Sequence, residues 1–172
     1  MPGTLRVGSP APSFSVQDTQ GETVSLEQFR GRRVILYFYP KDDTPGCTRE
    51  ACSFRDEQAR FTKANAVIVG VSRDTVASHQ RFAKKFGLPF QLLSDPDAAV
   101  CKAYGVWKEK SMYGRTYWGI ERTTFVIDEQ GRIAAIFPKV TVDGHSDEVF
   151  QALGATAAGR PSGRTAPART SR

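Results

Sequence analysis

The 172-residue chain has little cysteine, little histidine and no long apolar run. Its three cysteines are too few, and odd in number, for a small secreted domain held by disulfides. Its two histidines stand at no recognisable zinc spacing from them. The longest unbroken apolar run, Val34 to Tyr39, has six residues. A membrane helix needs roughly 20, so a membrane-spanning helical protein is excluded. No stretch has the basic, apolar, small-residue order of a secretory signal. The expectation is therefore a cytoplasmic protein with reduced thiols and no membrane partner, where a cysteine is more often reactive than structural.

One-sided charge is also missing from most of the chain. The formal balance of +6 comes from 24 basic and 18 acidic residues. Four of the arginines, Arg160, Arg164, Arg169 and Arg172, lie beyond Gly154 with no acid among them, and the remainder carries +2. Residues 154–172 are rich in Ala, Gly, Pro, Ser and Thr, a composition that buries too little surface to offset the entropy of ordering. They are expected to form a disordered basic tail after a single domain over 1–153. Four spread arginines without aromatics make a poor nucleic-acid footprint, so no nucleic-acid partner is expected.

Within 5–153 no repeat or linker stands out. Phe14–Asp18 and Thr23–Leu26 alternate around Gly21 and read as an N-terminal hairpin. Val34–Tyr39 reads as a strand buried on both faces, stopped by Pro40. Residues 40–46 form a loop, and one helix follows from Cys47 to Phe61, its start capped by Thr44 or the loop backbone. A strand over 66–71, a helix over 76–86 closed by Gly87, a strand over 90–93 and a helix over 96–104 come next. Strands over 123–127 and 132–137 flank the turn 128–131, and a helix over 147–153, capped by Ser146, closes the domain. Alternating strands and helices predict an α/β fold, with a mainly parallel sheet covered on both faces and antiparallel edges from the last hairpin. In such sheets chemistry gathers beyond the carboxyl ends of the strands, where the loop after Tyr39 lies.

That loop leads to Cys47, in the first turn of the predicted helix. Unpaired N–H groups and the helix dipole there favour negative charge, and the thiolate is the nucleophilic form of cysteine. Thr44 can point a hydroxyl at the sulfur or at an oxygen beside it. Gly46 lets the backbone come close to a ligand. Cys52 follows five residues on. In an intact helix two such Cα atoms are about 8.6 Å apart, whereas a disulfide spans roughly 4.4 to 6.8 Å. Either the two never bond, or the first turns melt and rewind during a reaction. Cys101, beside Val100 and Tyr104, reads as packing. His79 reads as a partly buried side chain, and His145 as local capping or packing. A general thiol–disulfide oxidoreductase is disfavoured by the missing Cys-x-x-Cys, and a module without enzymatic activity, such as a chaperone or redox sensor, remains the alternative from another class.

The stretch Phe38-Tyr-Pro-Lys-Asp-Asp-Thr-Pro-Gly-Cys-Thr-Arg-Glu-Ala-Cys-Ser-Phe-Arg-Asp56 resembles the active-site segment of the peroxiredoxins, most closely the bacterioferritin-comigratory-protein (PrxQ) subfamily. The resemblance continues through Val69-Gly-Val-Ser72, Leu88–Asp95, Tyr104-Gly-Val-Trp107, Arg122–Asp128 and Gly144-His145, and covers about residues 6 to 153. It implies a thioredoxin-like fold with a central mixed sheet, flanking helices and the N-terminal hairpin. It implies a thiol-dependent peroxidase for hydrogen peroxide and organic hydroperoxides, with no haem, metal or other cofactor. Carried over residue by residue, Cys47 matches the peroxidatic cysteine and Cys52 the resolving one. Thr44 matches the hydroxyl that contacts peroxide, Pro40 the residue that shields the thiolate, and Arg122 the arginine that stabilises thiolate and transition state. Glu50 falls where the family often has Glu or Gln near that arginine. The expected cycle runs through a sulfenic acid and an intramolecular disulfide. Thioredoxin or a similar dithiol then recycles it, in a chain that works as a monomer in antioxidant defence and redox homeostasis.

Overall fold

The computed structural model describes residues 5–158. A seven-stranded sheet runs through it in the order β2-β1-β5-β4-β3-β8-β9. The N-terminal hairpin is β1 (Ser15–Gln17) and β2 (Thr23–Ser25), and the central strands are β3 (Arg33–Phe38), β4 (Ala66–Ser72) and β5 (Gln91–Ser94). Only these three run parallel. β8 (Thr123–Ile127) lies antiparallel to β3 inside the sheet, and β9 (Ile133–Phe137) forms one edge while β2 forms the other. The sheet is thus mixed, not mainly parallel. The hairpin after the last crossover inserts beside β3 because its first strand, Thr-Thr-Phe-Val-Ile, is fully buried and needs neighbours on both sides.

β3 explains the layering. Val34, Leu36 and Phe38 join a cluster with Phe14, Val69, Leu93, Tyr104 and Phe125. Ile35, Tyr37 and Tyr39 face the opposite cluster, with Phe54, Phe61, Ile68, Phe82 and Leu92. Period-two alternation of large side chains on a strand covered from both sides stabilises by about 1.5–3 kcal/mol per buried side chain. Gly70 in β4 is required by this packing. A Cβ there would stand 2.9 Å from the Leu92 side chain and 3.0 Å from the Tyr37 ring.

The helices are α1 (Pro45–Asp56), α2 (Gln58–Lys63), α3 (Val76–Phe86), α4 (Ala99–Ala103) and α5 (His145–Ala158). α1 and α2 replace the single helix expected over 47–61. The chain breaks at Glu57, yet Phe54 and Phe61 remain packed with ring centroids 6.0 Å apart. Apolar residues seven apart share a face with or without a one-residue break, so periodicity conceals it. α1 starts two residues early, with Pro45 at its first position, where a missing N–H costs nothing. Thr44 is its N-cap residue without a side-chain cap. Its carbonyl accepts from Thr48 N–H at 2.8 Å, so the loop backbone does the capping. α3 has the expected Gly87 cap, in the left-handed region at φ 62°, and Thr75 accepts from Ser78 N–H at its start. α4 is shorter than the 96–104 expected. α5 begins at His145, which places Ser146 inside the helix, and continues through the Ala-rich end to Ala158, past the expected domain limit at 153. The rest of the expected tail, residues 159–172, lies outside the described residues.

A two-stranded ribbon, β6 (Trp107–Met112) and β7 (Arg115–Ile120), was not foreseen in the sequence and stands apart from the main sheet. Its turn is Tyr113-Gly114, at φ 54° and 76°, the left-handed pair that tight hairpins use. No helix among the described residues is long and apolar enough to cross a membrane.

Candidate active site

β3 ends at Phe38, and the loop 39–44 delivers α1 with Cys47 in its first turn. Thr48 makes the first intrahelical bond, so the N–H groups of Gly46 and Cys47 precede the ladder and point along the helix start. Arg122 arrives from the other end of the sequence. β8 pairs antiparallel with β3, Thr123 opposite Phe38, so the residue before β8 comes out beside the exit of β3. The Arg122 backbone is tied by its carbonyl to Val140 N–H at 2.9 Å. Its guanidinium Nη2 donates to Cys47 Sγ at 3.2 Å, and Nη1 donates to Glu50 Oε1 at 2.7 Å. One planar cation bridges the sulfur and a carboxylate on the same helix, a task suited to arginine's fixed fork.

Gly46 makes room for this bridge. A Cβ there would sit 3.3 Å from Arg122 Nη2. What approaches the glycine is therefore the guanidinium. Glu50 is 1% exposed. Burial raises its carboxyl to about 7, against the opposing pull of Arg122. Its second oxygen, Oε2, and the hydroxyl of Tyr37 on β3 are both buried without a hydrogen-bond partner. Burial, then the nearby Glu50 and Cys47 charges, push the Tyr37 hydroxyl well above the usual phenol range.

Cys47 is 2% exposed, so the sulfur is enclosed. Its neighbours are apolar on one side and the Arg122 guanidinium on the other. Thr44 is half-buried, and its hydroxyl donates to Lys41 O at 2.9 Å, which leaves the oxygen to accept. Pro40 lies exposed at the exit of β3. Cys52 is half-buried further along α1, and all three thiols are free. Cys101, fully buried in α4, is held away from the ionised form by burial and then by Asp95.

Sequence reading missed the network that anchors the loop. Asp42 accepts from Tyr39 Oη at 2.6 Å and from Ser78 Oγ at 2.7 Å, and its other partner is His79 Nδ1 at 2.8 Å. Its own N–H donates to Asp74 at 2.9 Å. His79 Nε2 lies 3.0 Å from Leu93 O, which can only accept, so that nitrogen carries a proton. His79 is thus fully buried, not partly. Asp42, Asp74 and His79 bring ligand-type atoms within 4.8 Å of one another, but these atoms are committed to Tyr39, Ser72, Ser78 and each other. The signal available was the pair Asp42 and His79, but 37 residues separate them and no periodicity joins them. His145 does pack locally as expected, with Nε2 on Thr124 Oγ1 at 2.8 Å and Nδ1 on Glu148 at 2.9 Å.

A model of the AhpC/TSA family matches residues 7–136. Peroxiredoxin Bcp of Bacillus subtilis is 46% identical over 150 residues, covering 87% of this chain and 96% of that protein. Peroxiredoxin Bcp of Escherichia coli K12 is 46% identical over 149 residues, with the same coverage of each. Among solved structures, Xanthomonas campestris peroxiredoxin Q superposes with a TM-score of 0.82 at 44% identity, covering 88% of this chain and 96% of that one. A Xylella fastidiosa PrxQ mutant gives 0.85 at 38% identity, covering 91% and 99%. A bacterioferritin comigratory protein of Xanthomonas campestris, studied for its alkyl peroxide reduction activity, gives 0.82 at 42% identity, covering 90% and 98%. With a thioredoxin-like sheet, a cysteine at a helix start and a guanidinium on its sulfur, the chain belongs to the AhpC/TSA family, as a thiol-dependent peroxidase of its Bcp/PrxQ peroxiredoxins.

Proposed function

We propose that Cys47 is the peroxidatic residue and Cys52 the resolving one, in a cycle that reduces hydrogen peroxide and organic hydroperoxides. The observation that carries this reading is the 3.2 Å contact of Arg122 Nη2 with Cys47 Sγ at the start of α1. A cationic donor there stabilises the anionic sulfur, as does the helix N-terminus. The thiolate attacks the terminal oxygen of the hydroperoxide. An S–O bond forms, the O–O bond breaks, and the departing oxygen takes a proton to become an alcohol or water. Arg122 and the N–H groups of Gly46 and Cys47 are donors suited to the charge that develops on those oxygens. The Thr44 hydroxyl, with its proton committed to Lys41 O, accepts from the O–H of the bound peroxide. Pro40, at the exit of β3, shields the thiolate from bulk water. Glu50 holds Arg122 in place.

Cys47 leaves this step as a sulfenic acid, and the Cys52 thiol condenses with it, releasing water and forming a disulfide. Both residues lie on α1, so its first turns must unwind for the sulfurs to meet. Asp42, fixed by four hydrogen bonds just upstream, confines that unwinding to the segment after it. A thioredoxin-type dithiol restores both thiols by exchange. The alkyl peroxide reduction of the Xanthomonas campestris relative supports organic hydroperoxides among the substrates. Both reacting sulfurs belong to one chain, which supports a working monomer, and a sparse, odd set of three cysteines fits the reducing cytoplasm.

The test is stopped-flow peroxide reduction by the wild type, Cys47→Ser and Cys52→Ser, with mass analysis of the thiols. Cys47→Ser should consume no peroxide. Cys52→Ser should complete one round and then stop with thioredoxin as reductant. Peroxide consumption by Cys47→Ser, or full steady-state turnover by Cys52→Ser, would overturn the assignment.

A further inference from the structure

The ribbon formed by β6 and β7 separates its side chains by chemistry. Across its register Lys108 faces Gly119, Lys110 faces Tyr117, and Met112 faces Arg115. Directly opposed residues share a face, and residues two apart on a strand share it too. One face therefore carries Lys108, Lys110, Met112, Arg115 and Tyr117. The other carries Trp107 and Ile120, which turn to the main core, together with Trp118 stacked on Trp107 and Glu109, the ribbon's one acid. All three cations lie on the first face and no acid does.

That face is open and partly apolar. Met112 is 54% and Tyr117 43% exposed. Tyr, Met and Arg are enriched at protein interfaces, and a cationic rim around such side chains suits an acidic partner. Through Lys110 one side of this face comes near Cys47. Lys110 Nζ donates to Ile120 O at 2.5 Å, two residues before Arg122. The Lys110 ammonium is within electrostatic reach of Glu121, just past the end of the ribbon, and of Arg122 and Cys47.

We infer that this face, centred on Met112 and Tyr117 and rimmed by Lys108, Lys110 and Arg115, docks a protein dithiol with an acidic surface around its thiols, delivering it to the oxidised site. The inference rests on the Cys47–Cys52 disulfide proposed above. Peroxide reaches the sulfur as a small molecule and needs no such surface. A protein reductant must be held while its thiolate attacks one sulfur of the disulfide. That attack breaks the Cys47–Cys52 bond and forms a mixed disulfide, and the reductant's second thiol then closes on the first, leaving both cysteines as thiols. Electrostatic complementarity beside the site raises the encounter rate and orients the partner.

The experiment compares two double variants, Met112→Ser with Tyr117→Ser and Lys108→Glu with Arg115→Glu, against the wild type. Turnover is supported either by thioredoxin, its reductase and NADPH, or by dithiothreitol. In both variants the KM for thioredoxin should rise about ten-fold, while dithiothreitol turnover and the rate of Cys47 oxidation stay unchanged. Added salt should weaken thioredoxin turnover in the wild type and not in the charge-reversed variant. An unchanged KM for thioredoxin would overturn the inference, as would an equal loss with dithiothreitol, which would make the ribbon part of the site itself. A wild-type dimer abolished by either variant, seen in sedimentation, would also overturn it, because the occupant would be a second copy. Failure of the underlying disulfide is seen separately, as its absence from the mass spectrum of peroxide-treated wild type before any reductant is added.

Discussion

Replacing Glu50 by Gln removes a buried charge while keeping an acceptor for Arg122 Nη1. Glu50 is 1% exposed, and its Oε2 has no partner. Burial therefore raises its carboxyl from 4.5 to about 7, although Arg122 works in the opposite direction. The folded protein then holds a proton on Glu50 that the unfolded chain releases across that range. Where the folded state binds more protons, stability falls as pH rises. The stabilising share of the protonated carboxyl is complete below about pH 4.5 and gone above about pH 7. At about 1.4 kcal/mol per pH unit, the loss across the window is about 3 kcal/mol. Gln does not titrate, so its stability curve lacks this fall. The assay is urea unfolding of Cys47→Ser protein with and without Glu50→Gln, from pH 4.5 to 8, a background that removes the thiol beside Arg122. The difference between the two curves isolates Glu50, since the other groups are shared. Two parallel curves would refute the reasoning, because they would mean that Glu50 stays ionised throughout and that Arg122 compensates its burial in full.

Arg122→Ala should slow Cys47 oxidation by about 10²–10³-fold, the usual cost of losing a donor to developing charge. Arg122→Lys should recover only part of it, since one ammonium does not reproduce a fork that spans Cys47 and Glu50. Stopped-flow rate constants check both, and an unaltered rate in Arg122→Ala would reject the role. His79→Leu leaves the Asp42 carboxylate buried beside an apolar side chain and should cost about 3–5 kcal/mol of stability, measured by urea unfolding. In the double variant with Asp42→Leu much of that loss should return, since no charge is then stranded. A cost in His79→Leu below about 1 kcal/mol, within the range of surface pairs, would count against a buried pair.

Local chemistry was legible in the residues. The run Val34–Tyr39, the Pro and Gly punctuation before Cys47, and Gly87 after a helical stripe each name their own structure, because each constraint acts within a few residues. Thus the strand buried on both faces, the cysteine at a helix start and the left-handed cap are all present. Arg122 was singled out by its resemblance to a family motif, and nothing in its own neighbourhood marks it as more than a charge before a strand. The β6–β7 ribbon escaped notice because Glu109, Ser111 and Thr116 interrupt the apolar side that Trp107, Trp118 and Ile120 share, although Tyr113-Gly114 was available as a turn signal.

Tertiary structure alone decided what meets what. The insertion of β8 beside β3, in antiparallel register, carries Arg122 across 75 positions of chain to within 3.2 Å of Cys47. The same assembly buries Glu50 beside that guanidinium and closes His79 onto Asp42. Its register also turns three cations onto one side of a ribbon. Sequence determines which groups are present and how the backbone near each will bend, since those preferences are short-ranged. The proton affinity of Glu50 and the partnership of Arg122 with a sulfur arise from burial and distance, which exist only after separate segments have packed.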